Sequence, residues 1–239
     1  MIKLFAIIFM FIDHFALILL PQGKLYWVLR LVGRLSMPLY AYCIARGCYY
    51  SVKKGTFYAY LRNIIILALV SQVPFAFIWK GALFDKGLNI CFSWFMSAFF
   101  IGFFLIKEKR ENYTRGERIF WLSSWLLVLF CLQYLGLNYG FMGVLMPIAM
   151  YLGYERCFNG TFKEPLPVLI LIITALWAFY NFVECGGLQF PQLIMILAVP
   201  LISLLSPCDR KIKIPKVVGY LCYPLSIIPF LLIRYILNV

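Results

Sequence analysis

The sequence predicts an all-α, polytopic transmembrane helix bundle of about nine spans with a cytoplasmic N-terminus, and three observations predict it. The first is composition. Of 239 residues 64% are hydrophobic and 13% charged, with a mean hydropathy of +0.90. Soluble domains are ~45–50% apolar and ~25% charged, so no water-soluble core of this size hides such a surface. The second is segmentation: apolar runs recur at the ~20-residue length that crosses a bilayer. The third is the distribution of cations. With the N-terminus inside, the inner segments hold 15 Lys and Arg: Lys3; Lys53, Lys54 and Arg62; Lys107, Lys109, Arg110, Arg115 and Arg118; Arg156 and Lys163; Arg210, Lys211, Lys213 and Lys216. The outer segments hold 5: Lys24, Arg30, Lys80, Lys86 and Arg234. This is the asymmetry of basic cytoplasmic loops. It accounts for the net charge of +13 without nucleic acid as a partner.

The elements follow in order. Segment 3–20 is apolar but is interrupted by Asp13 and His14, and no small-residue cleavage site follows. It reads as a retained first span rather than a signal peptide. Segment 27–50 carries Arg30, Arg34 and Arg46. Segment 63–80 contains Ser71-Gln72 ahead of Pro74, where a kink is expected because proline has no N–H for the helical ladder. Segment 89–106 starts at Asn89, and segment 119–136 follows the basic loop KEKRENYTRGER at 107–118. Segment 140–154 is short and joined through a tight Asn138-Tyr139-Gly140 link. Segments 166–183, 190–206 and 217–237 complete the set, the last with Tyr223-Pro224 inside it. Helices are required because lipid offers backbone amides no partner, and the alternation of a transmembrane barrel is missing. There is no long linker and no internal repeat, so residues 1–239 read as one membrane domain. The lack of a repeat counts against transporter folds built from duplicated halves.

The buried polar groups carry the functional reading, because an ionisable residue inside a membrane costs at least ~2.5–3.5 kcal/mol on insertion scales. His14 lies eleven residues past Lys3, about 16 Å along a helix and near the midplane. It is the natural general base, since its unperturbed pKa alone lies near neutrality. Asp13 points about 100° away from it and is expected to meet a cation from another span, with Arg34 the preferred partner. Arg30 is read as a snorkelling residue near the outer surface. Arg34 presents a planar fork suited to a carboxylate or phosphate. The eight cysteines form no CxxC pair and there is a single histidine, so no metal site is expected. No Walker loop, GxGxxG, GxSxG or HExxH occurs. From chemistry alone the centre fits a membrane enzyme, a proton-coupled transporter, or a non-catalytic assembly subunit whose charges only pair helices.

A set of residues in order along the chain resembles the TraX family, named for a membrane protein that acetylates the N-terminus of conjugative pilin, and through it the membrane acyltransferases. The set begins with Ile12-Asp13-His14. It continues with the block Gly33-Arg34-Leu35-Ser36-Met37-Pro38-Leu39-Tyr40-Ala41-Tyr42, then Ile44-Ala45 and Gly47. Tyr60, Arg62, Ser71-Gln72-Val73-Pro74-Phe75, Leu88-Asn89, Tyr139-Gly140, Gly143-Val144-Leu145 and Tyr223-Pro224 follow. Two positions depart from the pattern: Arg46 stands where relatives carry an acidic residue, and Ser226 where they carry a histidine after the Tyr-Pro pair.

The resemblance implies an N-acetyltransferase of a bacterial inner membrane. The donor would be cytosolic acetyl-CoA. The acceptor would be an amine, such as the N-terminus of a pilin-like or other exported or membrane peptide. His14 would be the base, with Asp13 and Arg34 as the other catalytic residues. Asn89, Tyr139 and Tyr223 would position substrate. Arg46, Lys53, Lys54 and Arg62 would receive the CoA phosphates.

Overall fold

A computed structural model describes residues 1–79, 83, 87–107, 113–158, 194–205 and 215–237. All the regular elements there are helical: α1 Ile2–Leu19, α2 Lys24–Gly33, α3 Ser36–Lys53, α4 Phe57–Ile78 and α5 Ile90–Phe100 with a π turn over Ile101–Lys107. They continue with α6 Arg115–Tyr134, α7 Gly140–Phe158, a 3-10 turn Ile194–Leu197 leading into α8 Ala198–Leu205, α9 Lys216–Leu225 and α10 Ile228–Leu237. The predicted segment 166–183 and the edges of 190–206 lie outside the described residues.

Among the described residues, four stretches are long and apolar enough to cross a membrane: Ile2–Leu19, Lys24–Lys53, Phe57–Ile78 and Val218–Leu237. Ile90–Ile106 is apolar but shorter. The outer surface agrees with a lipid solvent. Leu69, Phe77, Phe120, Leu127, Phe130, Leu204 and Ile236 are each more than half exposed. In water such a surface would be a contiguous liability, whereas in hydrocarbon it costs nothing.

Two of the four stretches are broken, and proline explains both breaks. α2 ends at Gly33 and α3 begins at Ser36. Pro38 has no N–H to offer the Arg34 carbonyl four residues earlier, and Leu35 instead closes a tighter turn onto Val32, N to O 3.2 Å. The same happens between α9 and α10. Pro229 has no N–H for the Leu225 carbonyl, and Ile227 bonds back to Pro224 at 3.1 Å. By contrast, α4 continues as one helix through Pro74.

α1 packs on α2, α3, α9 and α10. Both breaks therefore face a single helix. The α4–α5 and α6–α7 connections are tied together beside it. Leu88 N–H donates to the Gly136 carbonyl at 2.7 Å, and Asn138 N–H donates to the Leu88 carbonyl at 2.9 Å. Gln72 fastens the first loop from within α4, donating to the Leu83 and Gly87 carbonyls, both at 2.8 Å.

Candidate functional site

The site is built where the two breaks meet the middle of α1. Asp13 and His14 are buried there, 9% and 8% exposed. Arg30 Nη1 donates to Asp13 Oδ2 at 2.6 Å. This corrects two expectations, that Arg34 pairs with Asp13 and that Arg30 snorkels: Arg30 is 9% exposed. The cause is Gly33, one turn beyond Arg30. A methyl at 33 would stand 2.7 Å from Asp13 Cα, so only glycine lets α2 approach α1 so closely. That approach sets Arg30, on the same face, against the carboxylate. Arg34 lies one residue past the contact and turns away.

Arg34 donates instead to the Tyr139 hydroxyl, with its guanidinium carbon 5.7 Å from the centre of that ring. Tyr139 has φ +63, in the left-handed region that a bulky side chain rarely occupies. Its neighbours Gly136 and Gly140, also at positive φ, shape the turn that delivers it. Strain of this kind persists where surrounding contacts enforce it, and it clusters at functional sites. Two buried polar atoms of this cluster have no hydrogen-bond partner among the described residues: Asp13 Oδ1 and Arg34 Nε. One accepts and one donates. Buried groups are otherwise nearly always satisfied, so the pair offers both poles to a ligand.

The second break supplies Ser226. Its Oγ lies 2.7 Å from His14 Nδ1 and 2.6 Å from the Tyr223 carbonyl. Serine has one hydroxyl hydrogen, and a carbonyl can only accept. Ser226 therefore donates to Tyr223 and must accept from His14, which fixes the proton on Nδ1. The other ring nitrogen, Nε2, then carries a free lone pair. A base needs that tautomer, and holding it is the usual task of a polar group behind a histidine. Ser226, a departure in the family pattern, is thus in direct contact with the histidine.

Beyond His14 the wall is aromatic. The Tyr223 ring meets the imidazole edge-on at 5.7 Å between centroids. Trp94 lies against Tyr223 at 6.4 Å and stacks on Tyr40 at 5.2 Å. Tyr40 shares a hydrogen bond with Cys222 Sγ at 3.3 Å. These rings floor a cleft of about 340 Å³ that runs to the opposite ends of α1 and α3, where Lys3 and Lys54 line it. Among the predicted phosphate contacts only Lys54 belongs to this wall. Arg46 sits by the Tyr50 ring at 5.8 Å, Lys53 by the Tyr49 ring at 6.0 Å, and Arg62 is exposed. Asn89 is occupied elsewhere. It caps α5 by accepting from Cys91 N–H at 3.0 Å, and its amide donates to the Ala68 carbonyl and to Gln72, each at 2.8 Å. Loop closure accounts for it without a ligand. Among the described residues no group of three His, Cys, Asp or Glu side chains could hold a metal.

A family model described as TraX protein matches residues 1–234. The chain belongs to the TraX family. No curated protein and no solved structure matches it. The stretch that carried the TraX resemblance now has a physical reading. Gly33 seats α2 on α1, Arg34 reaches Tyr139, Pro38 makes the break and Tyr40 floors the cleft. Reading the TraX sequence alone missed Arg30, Ser226 and Lys3 as neighbours of the site. The signal for the breaks was present, since Pro38 and Pro229 each stand within three or four residues of Arg34 and Ser226. Nothing in the spacing signalled the Gly33 contact.

Proposed function

We propose that this TraX protein is a membrane-embedded N-acetyltransferase that moves an acetyl group from acetyl-CoA to an amine, such as the N-terminus of a pilin-like or exported peptide. The reading includes a nine-span topology in a bacterial inner membrane with the N-terminus cytoplasmic, and a role in conjugation through the family. One observation carries it: a cleft entered between lysines ends on Tyr223, whose ring touches a histidine held with its base nitrogen free. In this reading the donor enters the cleft and His14, behind Tyr223, acts as the base.

His14 Nε2 takes a proton from the acceptor amine, and the nitrogen lone pair forms a bond to the acetyl carbonyl carbon. The carbonyl oxygen gains charge, and Arg34 with Tyr139 supplies donors to it. The carbon–sulfur bond then breaks. His14 returns its proton to the departing thiolate, so the products are the N-acetyl amide and CoA. Asp13 holds Arg30 with one oxygen and offers the other, Oδ1, to an N–H of the acceptor. The donor does not depend on knowing the acceptor, so binding is the test. In nanodiscs, wild type is expected to bind acetyl-CoA saturably, with competition by CoA, and Arg34→Ala to bind less tightly. A folded wild type that ignores millimolar acetyl-CoA would overturn the reading. Flux through proteoliposomes would then test the carrier alternative.

A further inference from the structure

The polar end of the cleft has a composition that the transfer chemistry does not use. Among the described residues its charged wall residues are Lys3 and Lys54, with no carboxylate in the wall. Lys54 follows the C-terminus of α3 at the start of the α3–α4 turn, and Lys3 comes from the first turn of α1. Neither ammonium forms an ion pair with a carboxylate among the described residues. The same wall carries neutral polar side chains, including Tyr50, Tyr60, Tyr220 and Asn63.

Lys3 is placed there by a deletion of side chain on the facing helix. Its ammonium lies directly against the Cα of Gly219 in α9, and a Cβ at 219 would overlap Lys3 Nζ and Cε. With a side chain at 219 the Lys3 ammonium has to shift from this position. The opposite end is apolar and aromatic, with Ile64, Leu67, Trp94 and Tyr223. Along α1 the polar end is about 16 Å from His14. The cleft is therefore built for an amphiphile with a multiply charged anionic head. Two point cations facing across a cleft, without a carboxylate between them, suit phosphate.

We propose that Lys3 and Lys54 form a phosphate-recognition site at the mouth of this cleft, and that Gly219 is the residue that admits the Lys3 ammonium. The site deepens the transferase reading and rests on it only for the owner of the phosphate. That owner is either a soluble nucleotide-type cosubstrate or a lipid headgroup.

The test uses the full chain in phosphatidylcholine nanodiscs and adenosine 3′,5′-bisphosphate, which carries neither thiol nor acyl group. Calorimetric titration should show saturable binding. Lys3→Gln and Lys54→Gln should each weaken it about tenfold, the size of one charged hydrogen bond. Gly219→Ala should weaken it by displacing Lys3, Lys3→Arg should retain it, and Lys24→Gln at the far end of the bundle should leave it unchanged. Thermal melts confirm that each variant is folded. In a parallel arm, wild type and Lys3→Gln are extracted from phosphatidylglycerol membranes and weighed intact by native mass spectrometry. Lipid retained by wild type and lost by Lys3→Gln, with no bisphosphate binding, upholds the phosphate site and assigns it to a headgroup. That result would contradict the soluble-donor reading. Bisphosphate binding without any acetyl transfer upholds the site while the transferase reading fails. Equal bisphosphate affinity in wild type, Lys3→Gln and Lys54→Gln, or no phosphate ligand in either arm, overturns the proposal.

Discussion

Asp13→Asn should destabilise the protein more than any other single substitution on α1. Asp13 and Arg30 form a 2.6 Å ion pair whose side chains are 13% and 11% exposed. Removing one member of a buried pair leaves the other charge without compensation, at a cost of about 3–5 kcal/mol. A chain of this length loses about 2–4 °C of melting temperature per kcal/mol, so the shift should be roughly 6–20 °C. The Asp13→Asn/Arg30→Gln double variant removes both charges and should recover part of that loss, with a coupling on the order of 1–3 kcal/mol. Arg34→Gln, whose guanidinium is held by Tyr139, should couple to Asp13→Asn more weakly than Arg30→Gln does. Thermal unfolding of the purified protein in nanodiscs reads all of these variants. Stronger coupling to Arg34 than to Arg30 would refute the pairing and the role given to Gly33.

Four further outcomes follow from the same geometry. Gly33→Ala forces a methyl onto Asp13 Cα and should cost about 1–3 kcal/mol by overpacking, visible as a lower melting temperature. Ser226→Ala leaves His14 Nδ1 without its acceptor. It should lower kcat by up to about tenfold with KM little changed, and Ser226→Thr should restore most of the rate. Asn89→Ala should lower stability by about 1–3 kcal/mol through the loss of the cap on Cys91 N–H and of the bonds to Gln72 and Ala68, with acetyl-CoA affinity preserved in the folded fraction. At the exposed start of α6, hydrogen bonds from Thr114 hold the Glu117 carboxyl below its usual pKa. Its contribution is thus present above the unfolded pKa and lost as pH falls through the folded one. Hydrogen exchange at the first turn of α6 should speed up on acidification, and Thr114→Ala should reduce that pH dependence by removing the hydroxyl donor while the backbone N–H of residue 114 remains.

The helical class and the apolar stretches were legible because they depend on composition and run length, which a single sequence carries. Depth along a helix was legible too: His14 and Asp13 are buried in the middle of α1, as the residue count implies. Partner choice was not. Arg30 and Arg34 share one face at the level of helical spacing, and both are fork-shaped cations. What separates them is the close approach at Gly33, a tertiary contact with no local signature. Ser226 was visible only as a departure from the family pattern. Its contact with His14 requires the break at Pro229 to bring α9 and α10 round α1. Asn89 shows the converse ambiguity. A polar residue at a membrane segment's edge suggested substrate positioning, yet an N-cap and a loop clasp use its bonds. The basic residues divided in the same way. Lys54 reaches the cleft, while Arg46 and Lys53 lie on tyrosine rings of their own helix.

The central claim is that His14 serves as the base of an acetyl transfer. The most direct measurement uses acetyl-CoA labelled in its acetyl group, the protein in nanodiscs and a library of short peptides with free N-termini. The account predicts label on peptide N-termini with wild type. With a folded His14→Ala variant that still binds acetyl-CoA, transfer should fall by about 10²–10⁴-fold. Undiminished transfer by that variant, or label remaining on CoA with every peptide and wild type, would contradict it.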